Sequence, residues 1–171
     1  SNGLVLTSTT AGTLSWSASQ LQYFIESLNT TAPNTTVPVV QLTPNNGAAA
    51  VDMALTPKGN GALTTHVADN SATGGNKRGI NAVDLQMART ANTQVSSGNY
   101  SAIGGGRQNT ASSQYSLVAG GFNNTANTSD YATVVGGFTN SASGNSSFIG
   151  GGQSNSVSGT SATVSGGNTN Q

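Results

Sequence analysis

The sequence predicts an all-β fold, a parallel β-solenoid, because one short motif recurs five times in its last third. A β-branched residue opens each copy and recurs after 15, 16, 15 and 15 residues. Two glycines follow at the second and third positions after it, and an asparagine follows at the sixth. The β-branched residues are Ile103, Val118, Val134, Ile149 and Val164, and the asparagines are Asn109, Asn124, Asn140, Asn155 and Asn170. Such self-similarity at a short fixed period is typical of a solenoid.

Each residue type suits one part of a coil. About 15 residues are enough for two short strands and two corners, because a strand rises about 3.3 Å per residue. The β-branched residues favour the strand, and the glycine pair permits the positive φ of a tight corner. Asparagine tolerates the left-handed region, so we predict that the asparagines form the second corner. Stacked amides in register also bond along the column.

The apolar residues beside the β-branched ladder predict association. Neighbours along a strand point to opposite faces, so Leu117 beside Val118 and Phe148 beside Ile149 each leave a large side chain outside the coil. A coil of this size also encloses little core. Both problems disappear if three chains wrap together, with one strand face toward the coil interior and the other toward a shared axis. We therefore predict a homotrimer.

Residues 100–171, most plainly Ile103-Gly-Gly-Gly-Arg-Gln-Asn-Thr-Ala-Ser112, resemble the head repeat of trimeric autotransporter adhesins (YadA-like heads). They are also similar to Gly-Gly-x-x-Asn-Thr-Ala-Ser arrays in tail fibres of bacteriophages and other large DNA viruses. The first resemblance implies a trimeric, left-handed parallel β-roll. The slightly longer coil and the adjacent glycines depart from the adhesin head and favour the viral version.

The remaining chain divides into two segments before the solenoid. Residues 1–36 are predicted as an arm, a short helix and a linker, with Leu21, Phe24, Ile25 and Leu28 at helical spacing between Ser19 and Asn29. Residues 37–79 are predicted as a β-rich connector. The solenoid is assigned to residues 80–171, with a strand over residues 80–91 opening it.

The connector contains a second repeat of the form Leu-Thr-Pro, which begins at Leu42 and again at Leu55. The sequence Leu-Thr-Pro-Lys-Gly-Asn-Gly-Ala from Leu55 resembles connector segments of phage fibres. That resemblance implies interlocked β structure, in which each chain lends strands to its neighbours.

Composition excludes several classes of function. Charged residues make up 6% of the 171, the formal net charge is zero and cysteine is absent. The chain therefore lacks the net positive charge that attracts nucleic acid. The absence of cysteine excludes disulfides and thiolate metal sites. No apolar run reaches bilayer length, so membrane insertion is not expected. The array reaches Gln171 without a polar capping unit, so we expect a fragment or a chain that continues.

No pattern in the sequence predicts catalysis, a cofactor or a metal. The glycine runs lack the Lys-Ser/Thr of a phosphate loop, and each copy lacks the aspartate of calcium-binding β-rolls. His66 is the only histidine, and the carboxylates are scattered. Asp84 and Arg89 are predicted either to pair between chains or to lie solvated at the surface.

Aromatic residues are the candidates for recognition. Tyrosines occupy one register three residues before the ladder, and phenylalanines occupy another directly after the glycine pair. Exposed aromatic columns beside amides suit sugar rings, but packing between protomers or shielding of the corner is the alternative, and the repeat context favours that alternative. The candidate glycan contacts are Tyr100, Tyr115, Tyr131, Phe122, Phe138 and Arg107.

We therefore predict a structural fibre protein of a virus or bacteriophage, a tail or capsid fibre shaft or tip on the virion. Its expected partners are two further copies of itself, other fibre or baseplate proteins, and host surface glycans. The alternative is the head of a bacterial trimeric autotransporter adhesin, which binds host matrix or cell surfaces from the bacterial surface. An ice-binding solenoid would need Thr-x-Thr on every coil, and no coil has it.

Overall fold

The computed structural model describes the backbone of residues 4–8, 14–18, 24–29 and 39–44, and residues 54–171 in full. The chain divides into two compact units, Ser1–Ala54 and Leu55–Gln171. The second unit is a parallel β-solenoid, so the predicted fold class is confirmed for this part of the chain. No helix occurs among the described residues.

The first unit contains two antiparallel strand pairs. Strand β1 (Leu4–Ser8) pairs with β2 (Leu14–Ala18), and β3 (Phe24–Asn29) pairs with β4 (Val39–Pro44). The predicted helix is therefore not confirmed: its second half is strand β3, and residues 19–23 lie outside the described residues. Residues 24–29 pair with residues 39–44 along their whole length, and a helix of about three turns is marginal without such tertiary contacts.

The second unit contains a seven-stranded sheet, here called the long sheet, in which every pairing is parallel. Each coil contributes one strand of two residues. Except in the first strand, whose Thr64 is exposed, the first side chain points outward and the second points into the coil. The strands are β5 (Leu63–Thr64), β6 (Val83–Asp84), β7 (Ala102–Ile103), β9 (Leu117–Val118), β11 (Thr133–Val134), β13 (Phe148–Ile149) and β15 (Thr163–Val164).

Two further ladders complete each coil. The short sheet has four parallel strands, β8 (Thr110–Ala111), β10 (Thr125–Ala126), β12 (Ser141–Ala142) and β14 (Ser156–Val157). Between the two sheets runs a row of single parallel bridges, here called the bridge column. It consists of Ala88, Arg107, Phe122, Phe138, Gln153 and Asn168. A coil therefore has three sides, formed by the long sheet, the bridge column and the short sheet.

The interior of the stack is narrow and filled by small or β-branched side chains. Ile103, Val118, Val134 and Ile149 are completely buried in one column, and Val164 is partly buried. A second buried column faces them from the short sheet, consisting of Ala111, Ala126, Ala142 and Val157. The core therefore consists of about two apolar side chains per coil, and backbone pairing between coils supplies much of the remaining order.

The second glycine of each pair is required at the corner after the long sheet. Gly121 has a φ of 84°, and a Cβ there would overlap the carbonyl oxygen of Gly137 in the next coil. The first glycine has room, because a Cβ on Gly120 would meet nothing within 4 Å. The two glycines of the repeated motif therefore have different physical roles.

The parallel sheet begins earlier than the predicted boundary at residue 80. Strand β5 pairs with β6, so a coil starts at Leu63, within the segment predicted as the connector. Its step to the next coil is longer than 15 residues and lacks the glycine pair, which is why periodicity did not detect it. Residues 80–91 do not form one strand either. They contain only β6 and the bridge at Ala88, because the coil bends around its interior.

Candidate functional site

The asparagine column is a buried hydrogen-bonded ladder inside the solenoid. Asn124 is fully buried, and its Nδ2 donates to the carbonyl oxygens of Gly120 in its own coil and Gly137 in the next, at 3.0 and 2.9 Å. Its Oδ1 accepts the backbone N–H of Asn140 at 3.0 Å and the Asn140 Nδ2 at 3.1 Å. Asn155 repeats this arrangement on Asn140. These side chains fasten the glycine corner to the adjacent coil.

The asparagines do not themselves adopt the left-handed conformation that the sequence suggested. Positive φ occurs at the residue before each of them, for example 61° at Gln108 and 56° at Asn123. The prediction is wrong on this point because the column residue must point its amide inward from an extended backbone. The preceding residue makes the turn, and this position accepts Gln, Asn, Thr or Ser.

The three tyrosines form a stacked column on the corner that precedes the long sheet. Tyr100 and Tyr115 stack with ring centroids 5.3 Å apart, and Tyr115 and Tyr131 stack at 5.1 Å. All three have positive φ, and about half of each side chain is exposed. Because the rings cover one another's faces, the column presents ring edges and hydroxyl groups. Only the outer faces of Tyr100 and Tyr131 are free of a second tyrosine ring.

The bridge column brings together the second set of sequence candidates. Phe122 and Phe138 stack at 5.3 Å, and the Arg107 guanidinium carbon lies 4.5 Å from the centroid of the Phe122 ring. This distance is within the range of a cation–π interaction. Phe138 is 44% exposed, so part of its apolar surface faces outward.

The outer face of the long sheet is apolar along much of its length. Leu117 and Phe148, at the outward position of their strands, are 38% and 37% exposed. Val135 and Leu85 directly follow the inward residues of their strands, and they are 45% and 39% exposed. The chain order places this face between the tyrosine column and the bridge column, so the three surfaces are adjacent.

The short sheet presents a polar outer face in contrast. Its outward positions hold Thr110, Thr125, Ser141 and Ser156. The positions two residues further along each strand hold Ser112, Asn127, Ser143 and Ser158. The solenoid is therefore amphipathic in cross-section, with large apolar groups on two of its three sides.

A buried ion cluster lies at the start of the solenoid. The Asp84 Oδ2 accepts from Arg78 Nε at 2.8 Å and from Arg89 Nη2 at 3.1 Å, and all three side chains are at most 2% exposed. Asp84 and Arg89 do pair, but within one chain, which corrects both sequence alternatives of a pair between chains and of solvated positions. Desolvation lowers the pKa of Arg89 below its ordinary value, while the Asp84 carboxylate opposes that shift.

Sequence reasoning missed Arg78 and Gln86. Gln86 is fully buried and begins the asparagine column, since its Oε1 accepts the backbone N–H of Asn109 at 2.9 Å. Its Nε2 donates to the carbonyl oxygen of Asn109 at 3.0 Å. The available signal was the concentration of charged residues before Arg107 in a chain with few charges. Gln86 also lies two residues after Asp84, which places both side chains on the inward face.

The described part of the chain contains shallow clefts of about 330 and 450 Å³ near its beginning, lined partly by Leu55, Leu63 and Lys77. Among the described residues, no three histidines, cysteines or carboxylates are grouped to hold a metal ion. His66 is partly exposed and lies 3.0 Å from the Thr65 hydroxyl. No described helix is long and apolar enough to span a membrane.

Comparison with protein families, with curated proteins and with solved structures finds no match to this chain. The resemblance to adhesin heads and viral fibre arrays therefore depends on the repeat residues themselves. The coordinates support the parallel β-solenoid that these residues predict.

Proposed function

We propose that this chain is a structural fibre protein of a virus or bacteriophage, which acts as a homotrimeric shaft or tip. The observation that carries the proposal is the uncovered apolar surface on a thin, regular solenoid. Burying the exposed part of Leu117, Phe148 or Val135 would contribute about 1 kcal/mol each, given about 25 cal/mol per Å² of apolar surface. The stacked coils repeat this gain along the axis.

The distribution of that surface favours three chains over two. The apolar groups occupy the outer face of the long sheet and the bridge column, which are different sides of the coil. A twofold dimer buries the same patch on both chains, whereas a ring pairs two different patches through heterologous contacts. Three chains around an axis parallel to the solenoid would bury both sides and leave the polar short sheet outside.

Two sequence features favour a viral fibre protein over an adhesin head. The glycines are adjacent in each of the five repeats, and the segment from Leu55 to Ala62 resembles fibre connectors. In this reading the neighbouring partners are other fibre or baseplate proteins of the virion. The chain acts passively as a stiff rod, and threefold copies of weak surface sites gain avidity without new contacts.

Contact with host glycans is the second part of the proposal. The candidates are Tyr100, Tyr115, Tyr131, Phe122, Phe138 and Arg107. Since stacking covers the inner ring faces, a sugar would stack on the outer face of Tyr131 or Tyr100. A glycan array probed with the wild-type chain and with a variant in which Tyr100, Tyr115 and Tyr131 are all replaced by serine, a residue that this corner accepts at Ser146 and Ser161, tests this. Signals lost in the variant support the proposal, and signals equal in both chains contradict it.

Mass in solution tests the trimer. Light scattering at micromolar concentration should give three times the chain mass of 16.9 kDa. Leu117→Glu places a charge on the apolar face of the long sheet and should dissociate the trimer. Ser112→Glu makes the same charge change on the polar short-sheet side and should leave the mass unchanged. A wild-type monomer, or equal behaviour of the two variants, would contradict the assembly.

A further inference from the structure

The first buried residue in the inward column of the long sheet is ionic, although the residues that follow it in that column are apolar. Asp84 is paired in register with Ile103, so its carboxylate occupies the column that continues as Ile103, Val118 and Val134. Asp84 is completely buried there. A buried carboxylate is unfavourable unless it is paired and hydrogen-bonded, and Arg78 and Arg89 provide the partners.

The two arginines also hold a loop against this layer. Arg78 Nη1 donates to the carbonyl oxygens of Gly74 and Asn76, the latter at 3.1 Å. Arg89 Nη1 donates to the carbonyl oxygen of Thr73 at 2.7 Å. Three carbonyl groups near the end of the 69–76 loop are thereby bound by side chains that also bind Asp84.

The loop is closed by its own hydrogen bonds. The Asp69 carboxylate accepts the backbone N–H of Ser71 at 2.8 Å, and the backbone N–H of Asp69 donates to the Gly75 carbonyl at 3.2 Å. Gly75 lies against Val95, where a Cβ would come within 2.5 Å of a Val95 methyl. The loop therefore packs directly on the coil that contains Asp84 and Arg89.

The hydrogen-bonded asparagine column begins in the same coil as the buried Asp84. Gln86 occupies the place of an asparagine beneath Asn109, and its Nε2 also donates to the Gln94 carbonyl at 2.8 Å. Gln94 in turn accepts the backbone N–H groups of Thr90 and Ala91 at 2.8 and 3.0 Å. Both interior columns therefore begin with a buried polar side chain. Asp84 binds two arginines, and Gln86 binds backbone groups of its own coil and of the next.

We propose that residues 63–98 are a capping unit, in which the Arg78–Asp84–Arg89 cluster fastens the 69–76 loop over the beginning of the core. Terminal repeats of solenoids need such polar caps, because an open coil would expose its apolar interior. The unit is independent of the proposed fibre function, since all of its contacts lie within one chain.

Amide hydrogen exchange of the full 171-residue chain tests the cap. Asp84→Ala leaves two buried guanidinium groups without their carboxylate, which should accelerate exchange in residues 63–98 by about a hundredfold or more. Residues 118–157 should keep wild-type rates to within about tenfold, because each coil contacts only its neighbours. Ser112→Ala, an exposed polar change beyond the unit, serves as the control.

A second variant keeps the test decisive if Asp84→Ala does not fold. The triple change Arg78→Met, Asp84→Leu and Arg89→Met removes all three charges and fills the space with apolar groups. Residues 118–157 should remain protected, while the 69–76 loop loses its arginine donors and exchanges rapidly. Wild-type protection of the loop in this variant, or a uniform acceleration from 63 to 157 in either one, would overturn the cap. Mass measured on the same samples reports the trimer separately.

Discussion

Asn124→Ala is the sharpest test of the asparagine column. The substitution removes a fully buried amide that makes four hydrogen bonds, two as donor to Gly120 and Gly137 and two as acceptor from Asn140. It leaves the backbone conformation undisturbed, because Asn124 does not have positive φ. The effect therefore measures the side chain and not the turn.

The magnitude follows from which partners remain satisfied. The Gly137 carbonyl keeps the backbone N–H of Phe122 at 2.9 Å, but the backbone N–H of Asn140 loses its acceptor inside the coil. An unsatisfied buried donor costs about 1–3 kcal/mol, and each other lost bond about 1 kcal/mol. With one orphaned donor and three other lost bonds, we expect Asn124→Ala to lower the free energy of unfolding by about 4–6 kcal/mol.

Urea unfolding followed by circular dichroism at fixed protein concentration measures this loss. Asn127→Ala is the matched control, because it deletes the same amide in the same coil at an outward position. Its cost should stay within about 0.5 kcal/mol. Stacked repeats can unfold in stages, so hydrogen exchange at the Asn140 amide provides a second measurement. Similar losses in the two variants would refute the structural role of the column.

Three further predictions concern the corner, the core and the first coil. Gly121→Ala should lower the free energy of unfolding by about 2 kcal/mol or more, because Gly121 has positive φ and a blocked Cβ position. Gly120→Ala should lower it by less than about 0.5 kcal/mol, because Gly120 has neither; thermal unfolding measures both. Ile149→Ala should cost about 2–5 kcal/mol in urea unfolding; a cost below that of Gly120→Ala would contradict its burial. Hydrogen bonds from Ser71 lower the pKa of Asp69 below 3.8, so its contribution is present above that value and lost as pH falls through the lower folded pKa. Asp69→Asn should weaken the fall in melting temperature between pH 5 and about pH 2.

Repetition explains how much of the fold the sequence could predict. The residues of the ladder and the glycine pair recur in all five repeats because the backbone of each repeat imposes the same demand. Gly121 illustrates this, since its conformation and the adjacent carbonyl each exclude a side chain. The stacked rings of Tyr100 and Tyr115 follow from their shared register. The regular spacing of the repeats therefore predicts both the solenoid and which repeated residues are neighbours.

Features that occur only once have no periodic pattern in the sequence and could not be predicted in this way. Arg78, Asp84 and Arg89 come together through two coils of irregular length, and no spacing in the sequence reports it. The residues of strand β3 were predicted as part of a helix because Phe24, Ile25 and Leu28 have helical spacing. Pairing with β4 decides between them, and pairing is a non-local property.

The contrast between inward and outward positions indicates where this solenoid carries its function. The inward position of the long sheet holds only Ile or Val in the five repeats, whereas the outward position holds residues as different as Ala102, Leu117 and Phe148. The backbone does not dictate which residue occupies an exposed position of the coil. At the corner before the long sheet, for example, Ser146 and Tyr131 both adopt positive φ. Large apolar groups at such free positions cost exposure to water in a solitary chain. Their restriction to two adjacent sides of the coil is what an assembly of several chains would need, and a solitary rod would gain nothing from it.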